Sequence, residues 1–456
     1  MCNEKMSRRR FLGASAQVGM LGALSTLGLL GMPRSAHAAV SDYKALVCIY
    51  LFGGNDGNNM LVPLDAAHYD AYTRIRGSGG LALSVNAKTL LSARSARLAS
   101  GVEQPFAFHY GMPEIDALYA QGQVAALLNV GNLRQPLTRQ QYQSGQGVPP
   151  QLFSHPDQNL QNQAGTPSAA GTGWGGRLVD VLGAAGHLDA VSVGSNGLFV
   201  EGASVHGNLL PGNGQLSLAG MNFWPQSEAD KRRAALVQAL SASNPNVVAA
   251  AANQALLHGM DLTRDLQAAS NGAPFQTAFP GYALAQQLKT VAQLIRLRAT
   301  QGPGRQVYFV SQGGFDTHGG QAYQQFDMLR QVSQSVAAFQ GALREMRAEQ
   351  MVTSFTMSDF GRTLQPNSGG TDHAWGNHQL IIGAAVKGGL YGEFPDFTLG
   401  GKDDATGRGV WIPRYANQQY GATLGRWFGV EPDVLENQVF RSELSNFAVK
   451  DLGFMG

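Results

Sequence analysis

Three aspartates and three histidines are the residues of this 456-residue chain whose types and spacing point to chemistry. Asp56 lies in Phe52-Gly53-Gly54-Asn55-Asp56-Gly57, Asp316 and His318 share Gly314-Phe315-Asp316-Thr317-His318, and Asp359 lies in Ser358-Asp359-Phe360-Gly361-Arg362. Farther on, Gly369-Gly370-Thr371-Asp372-His373-Ala374-Trp375-Gly376-Asn377-His378 adds His373 and His378 in a glycine-rich loop. Carboxylates brought together repel one another and resist ionisation unless a cation neutralises them, so Asp56, Asp316 and Asp359 in one place argue for a metal. Imidazoles beside them complete a donor set suited to Zn, Mn or a similar divalent ion, with water or substrate in an open position. Each group alone has an ordinary reading, since a strand-end Asp caps a helix and a lone His is a structural hydrogen bonder. The argument rests on the set.

A sheet must gather them. Residues 45–52 (ALVCIYLF) are an unbroken apolar run stopping at glycines, as a strand buried on both faces of a parallel sheet does. Residues 113–121 have helical spacing, 124–130 read as a second buried strand, and 176–182 followed by 188–193 read as another helix and strand. Residues 305–311 and 351–357 are further strands, with a long amphipathic helix over 324–350 between them. This alternation predicts an α/β fold with a mostly parallel central sheet flanked by helices. The three Asp-bearing loops then meet at its carboxyl edge, where ligands bind. Residues 135–173, rich in Gln, Pro and Gly, are too long for a simple connector and read as functional or mobile. From 227 to 300 the composition turns to Ala, Gln, Leu and Arg with a helical period, a helical insertion of several elements.

The N-terminus sets the compartment. Ser7-Arg8-Arg9-Arg10-Phe11-Leu12, an apolar stretch over 20–30 and Ala36-His37-Ala38 form a twin-arginine export signal over residues 1–38. Its apolar part falls short of the roughly 20 residues a membrane span needs, and no later stretch qualifies. The expectation is one mature domain over 39–456, periplasmic or extracellular, delivered by the twin-arginine export machinery. A net charge of +2 with only 14% charged residues argues against nucleic-acid or polybasic membrane partners. Of the two cysteines, Cys2 leaves with the signal and Cys48 sits in the first strand, so no internal disulfide is expected. Lys231-Arg232-Arg233, Arg296 and Arg298 are spaced like solvated helix faces, and Trp174 and Trp375 read as buried packing. The Gly53-Gly54 segment lacks the spaced third glycine of a dinucleotide fingerprint, so no nicotinamide or flavin is implied.

These blocks, with their order and spacing, resemble the signature segments of the DUF1501 family, exported bacterial proteins grouped with the alkaline phosphatase-like superfamily beside sulfatases and phosphomutases. The resemblance runs over essentially the whole mature chain. It implies an alkaline phosphatase-like fold and, position by position, metal ligands at Asp56, Asp316, His318, Asp359 and His373. Its usual pattern sets a His directly after the second-metal Asp, where this chain has Phe360. One metal is therefore better supported than two, with His378 or His155 left to complete a second. The resemblance also implies a Ser, Thr or modified Cys nucleophile where a helix starts after the second strand. Thr138 occupies such a start, with Arg139 as an anion clamp, but lacks the Ser-His pair of many relatives; a merely capping Thr is the alternative. Phe153-Ser154-His155-Pro156-Asp157-Gln158 is another source of a hydroxyl or ligand. The activity so implied is metal-assisted hydrolysis of a phosphate or sulfate ester, small or polymeric. Rival readings are a non-catalytic, metal-stabilised binding or assembly protein of the cell envelope, and mutase or lyase chemistry at the same edge.

Overall fold

The computed structural model describes residues 42–166, 171–183, 186, 188–214, 220–221, 223–298 and 304–456; the expected export signal lies outside them. Its strands are β1 (Tyr43–Leu51), β2 (Leu61–Pro63), β3 (Arg94–Arg97), β4 (Glu103–Phe108), β5 (Val124–Gly131), β6 (Ala190–Val193), β7 (Asn208–Leu210), β8 (Gly304–Gln312), β9 (Val352–Ser358), β10 (Asn377–Ile382), β11 (Gly389–Tyr391) and β12 (Tyr415–Ala416). The main sheet runs β11-β5-β10-β9-β1-β8-β6-β7, with β12 also on β5; β2, β4 and β3 make a small antiparallel sheet. Only β10 runs against its neighbours in the main sheet among the described residues. The chain thus adopts the α/β arrangement expected of it, a mostly parallel central sheet flanked by helices.

The register fixes where the site forms. Leu51 pairs with Gln312 on one side and with Ser358 on the other, so β1, β8 and β9 stop at one level. The loops carrying Asp56, Asp316 and Asp359 therefore leave the sheet side by side. Because β10 is antiparallel to β9, the connection that bears His373 starts and ends at that same edge. β1 is covered on both faces, as its unbroken apolar run requires. Leu46, Cys48 and Tyr50 join Trp174, Leu178, Phe355, Tyr420 and Leu424 in one core, while Ala45, Val47 and Ile49 are equally buried. Trp375 is also buried, its Nε1 donating to the Asn132 carbonyl at 2.8 Å.

The helical insertion divides. Among the described residues from 220 to 271, helices Gln226–Ser241 and Val247–Ser270 pack together as a compact unit, the second capped by Asn246. Helix Ala283–Arg296, foreseen as part of the same insertion, belongs to the sheet-bearing unit. It packs on β8 and on helix Gln321–Glu345, burying Leu284, Leu288, Val291 and Ile295. The long segment 135–173 includes two helices, Arg139–Gln143 and His155–Ala164.

Candidate metal centre

The loop after β1 lies against the loops after β8 and β9 because two glycines let it. Gly53 has φ +110°, and a Cβ there would sit 2.4 Å from the Asp316 nitrogen; Gly54 has φ +82°, and a Cβ would sit 2.6 Å from the Phe360 ring. Both conformations and both approaches need glycine. Arg362 then ties the loops together. Fully buried, it donates from Nε to the Gly54 carbonyl (2.8 Å), from Nη1 to Thr371 O (2.9 Å), and from Nη2 to Gly53 O, Phe315 O and Asp316 Oδ1.

Four side chains converge at this edge. His155, Asp316 and His373 offer donor atoms within 4.8 Å of one another. His318 abuts them, its Nε2 lying 3.0 Å from Asp316 Oδ1 and 3.0 Å from His373 Nε2. His373 Nε2 is 3.3 Å from Asp316 Oδ1, and His155 Nε2 is 3.5 Å from Asp316 Oδ2. Each ring is held from behind through Nδ1: His155 by Asp359 Oδ2 (2.6 Å), His318 by Asp372 Oδ1 (3.2 Å) and His373 by the Phe153 carbonyl (2.8 Å). Two carboxylates and a carbonyl accept, so the proton sits on Nδ1 of each ring and an Nε2 lone pair turns inward. His155 Nε2 is sealed from solvent with no hydrogen-bond partner. Lone pairs 3.0 Å apart on His318 and His373 repel unless one nitrogen takes a proton or a cation lies between them. Ligand atoms at Zn–N distances of about 2.0–2.1 Å around a tetrahedron are about 3.3 Å from each other, near the 3.0–3.5 Å of the four pairs given above. Three imidazoles and one carboxylate, with acceptors behind the rings, fit a divalent transition metal.

Charge around the cluster is balanced by arginines. Burial opposes ionisation of Asp316, but the Arg362 hydrogen bond and charge, with His318 and His155, outweigh it and hold the carboxyl at about 2. Burial pushes Asp359 above the usual carboxylate range, tempered by its bonds from His155 and the Gly53 N–H. Burial lowers His373, with its bond to Phe153 opposing. Phe360, at the place where the resemblance implies a histidine, packs against His373 and His155 with ring centroids 4.5 and 4.8 Å apart and ring planes tilted by 34° and 38°.

Of the residues foreseen as ligands, Asp316, His318 and His373 meet in the cluster. Asp359 stands behind His155. Asp56 is turned away: its oxygens take both Nη1 and Nη2 of the fully buried Arg76, the Gln321 amide and the Asn58 N–H. The cation that neutralises it is a guanidinium. His378 lies on β10 beneath the edge, its Nδ1 accepting from the Asn129 N–H at 3.0 Å. Thr138 is an exposed N-cap in a capping box with Gln141, and Arg139 donates from Nε to the Asp404 carbonyl at 2.8 Å. His155, weighed from sequence for a second metal and within a block offering a hydroxyl or ligand, stands in the cluster. Its signal was there: Ser154 as N-cap, Pro156 and Asp157 in the first turn mark a helix start that presents His155.

Two histidines outside the cluster set a pH dependence of folding. Burial lowers both His109 and His378 to about 4, against an unfolded value near 6.5, so between these pH values the unfolded chain binds more protons. Stability is then complete above about pH 6.5 and falls as pH drops toward 4, by at most about 3 kcal/mol per histidine. Urea unfolding at pH 7, 5.5 and 4.5 should show the decline, and His378→Asn should flatten it; equal slopes in both proteins would remove His378 from the account.

The sequence matches the model of DUF1501, described as a protein of unknown function, over residues 43–407. The chain belongs to that family. No curated protein matches it. Among solved structures, Ps i-CgsB in complex with k-i-k-neocarrahexaose aligns over 89% of this chain and 77% of its own, at 10% identity and TM-score 0.34. The PsFucS1 sulfatase from Pseudoalteromonas sp. aligns over 96% and 76% at 11% identity and TM-score 0.35. The phosphonate monoester hydrolase of Agrobacterium radiobacter aligns over 86% and 74% at 10% identity and TM-score 0.30. At such TM-scores the likeness decides neither fold nor activity. Among the described residues no helix is long and apolar enough to cross a membrane.

Proposed function

We propose that this chain is an exported, metal-dependent hydrolase of phosphate or sulfate esters. The observation that carries the reading is the convergence of three Nε2 atoms on Asp316, each ring held at Nδ1 by an acceptor. His155, His318, His373 and Asp316 would hold the ion, with Zn the first expectation and Mn an alternative. When bound it would supply a Lewis acid that lowers the pKa of an attacking hydroxyl or water and offsets charge on the ester oxygens.

Ser154 is the better-supported hydroxyl. It is the N-cap of a ten-residue helix whose next residue is His155, so it supplies the Ser-His pair missing at Thr138. Phe153, just before it, holds a left-handed φ of +72° while its carbonyl orients His373. Such strain in a non-glycine residue persists where the surroundings impose it, as at functional sites. Ser154 Oγ donates to Asp157 Oδ2, which makes Asp157 the group to receive that proton as the oxygen attacks. Ser154→Ala should lower kcat by more than about a thousandfold. Thr138→Ala should cost about 1 kcal/mol of stability as a lost cap and leave kcat unchanged. Loss of activity in the Thr138 variant alone would return the nucleophile to that helix.

The test of the reading as a whole is metal content by plasma mass spectrometry of chelator-free residues 39–456, followed by a screen of aryl phosphates and sulfates. About one equivalent of transition metal with turnover supports it; a folded, metal-free and inactive sample overturns it. The envelope-binding reading has its own observation, since Arg76 and Arg362 already neutralise Asp56 and Asp316. Bound metal without turnover of any ester would favour it.

A further inference from the structure

Among the described residues, Arg408 is the arginine beside the cluster with unused donors on an exposed side chain, since Arg76, whose Nε has no partner, and Arg362 are sealed from solvent. Arg76 grips Asp56 with both terminal nitrogens, and Arg362 spends its donors on three loops. Arg408 gives Nη1 to Asp372 Oδ2 at 2.7 Å and is 42% exposed. Among the described residues, its Nη2 and Nε have no partner. The other Asp372 oxygen takes His318 Nδ1 and the Asn367 amide, so Arg408 stands two hydrogen-bond links from the inward lone pair of His318.

Its backbone is fixed. Buried Asp404 accepts the N–H groups of Gly400 and Gly409 at Oδ2 and of Thr406 and Val410 at Oδ1, knitting the turn before and after Arg408. Arg139 braces the same turn through the Asp404 carbonyl. Gln365 N–H donates to Arg408 O, and Leu364 N–H to Gly409 O, which straps the turn to the segment after Arg362. A guanidinium built only to hold Asp372 would meet it with two parallel donors, the stronger geometry, rather than with one. Asp56, Asp316 and Asp372 are each paired with an arginine, so Asp359 and Asp157 are the carboxylates left at this edge to offset a divalent ion.

We propose that Arg408 is an oxyanion subsite of this centre, receiving the non-bridging oxygens of a phosphate or sulfate ester through Nη2 and Nε while Asp372 steadies it. This rests on the hydrolase reading and adds a recognition residue to it. Arg139, foreseen as the clamp, supports the turn instead.

The experiment is calorimetric titration of the metal-loaded mature protein with inorganic phosphate and with sulfate, for the wild type, R408Q and R408K, with metal content measured on each. Binding weakened by about tenfold or more in R408Q, partly restored in R408K, at unchanged metal content, is the expected result. Equal affinity in wild type and R408Q overturns the subsite and leaves the hydrolase reading standing. Loss of metal together with the anion in R408Q also overturns it, by reducing Arg408 to a buttress of His318 through Asp372. A wild type that takes up no metal fails at the earlier step, in the hydrolase reading itself.

Discussion

With His373 replaced by alanine, the mature protein should lose at least about a thousandfold in metal affinity while keeping its fold. The imidazole supplies a donor atom to the cluster, and its removal also leaves His318 Nε2 without the neighbour 3.0 Å away. The Phe153 carbonyl it engages is at the part-buried rim, where water replaces the bond, so the stability cost is small. Asp359→Asn provides a graded companion. Its carboxylate acts on the ion only through His155, and losing such a support costs about 10–100-fold in affinity. Competition with a chromophoric chelator measures both, and circular dichroism confirms the fold. Wild-type affinity in the His373 variant would remove the cluster from consideration as a metal site, and equal losses in the two variants would make Asp359 a ligand after all.

Asp56→Asn should do the opposite, unfolding easily and binding metal normally. Asp56 and Arg76 are both sealed from solvent, and the aspartate also takes the Gln321 amide and the Asn58 N–H. An asparagine leaves the Arg76 charge buried without its counterion, which costs about 3–5 kcal/mol. Urea unfolding gives the stability, and metal equivalents on the folded fraction give the other half. If the variant came out stable and metal-free, Asp56 would be a ligand and the ion pair incidental.

That contrast marks how far sequence reasoning reached. Apolar runs ending in glycine located β1, β8 and β9, and their parallel order was enough to gather the three acidic loops. Asp56, Asp316 and Asp359 look alike in sequence, each following a strand. What separates them is a partner: Arg76 for Asp56, Arg362 and three imidazoles for Asp316, His155 for Asp359. Arg76 comes from a helix twenty residues on and His155 from a helix start marked by its cap residues, but which carboxylate each one meets is not written in periodicity. The argument that clustered carboxylates demand a metal failed for Asp56 because a buried guanidinium meets the same electrostatic need. Thr138 went the other way: its capping box with Gln141 is a local pattern, and the local reading describes what it does.

The arginines on Asp56 and Asp316 have one more consequence. Many metal sites are held open by mutual repulsion until the ion arrives, so that folding and loading are a single event. Here the counter-charges are part of the polypeptide, and Arg362 laces the loops through its own donors. Asp56 and Asp316 are therefore neutralised within the chain itself. Chelation should leave the fold intact and lower the melting temperature only by the binding energy of the lost ion.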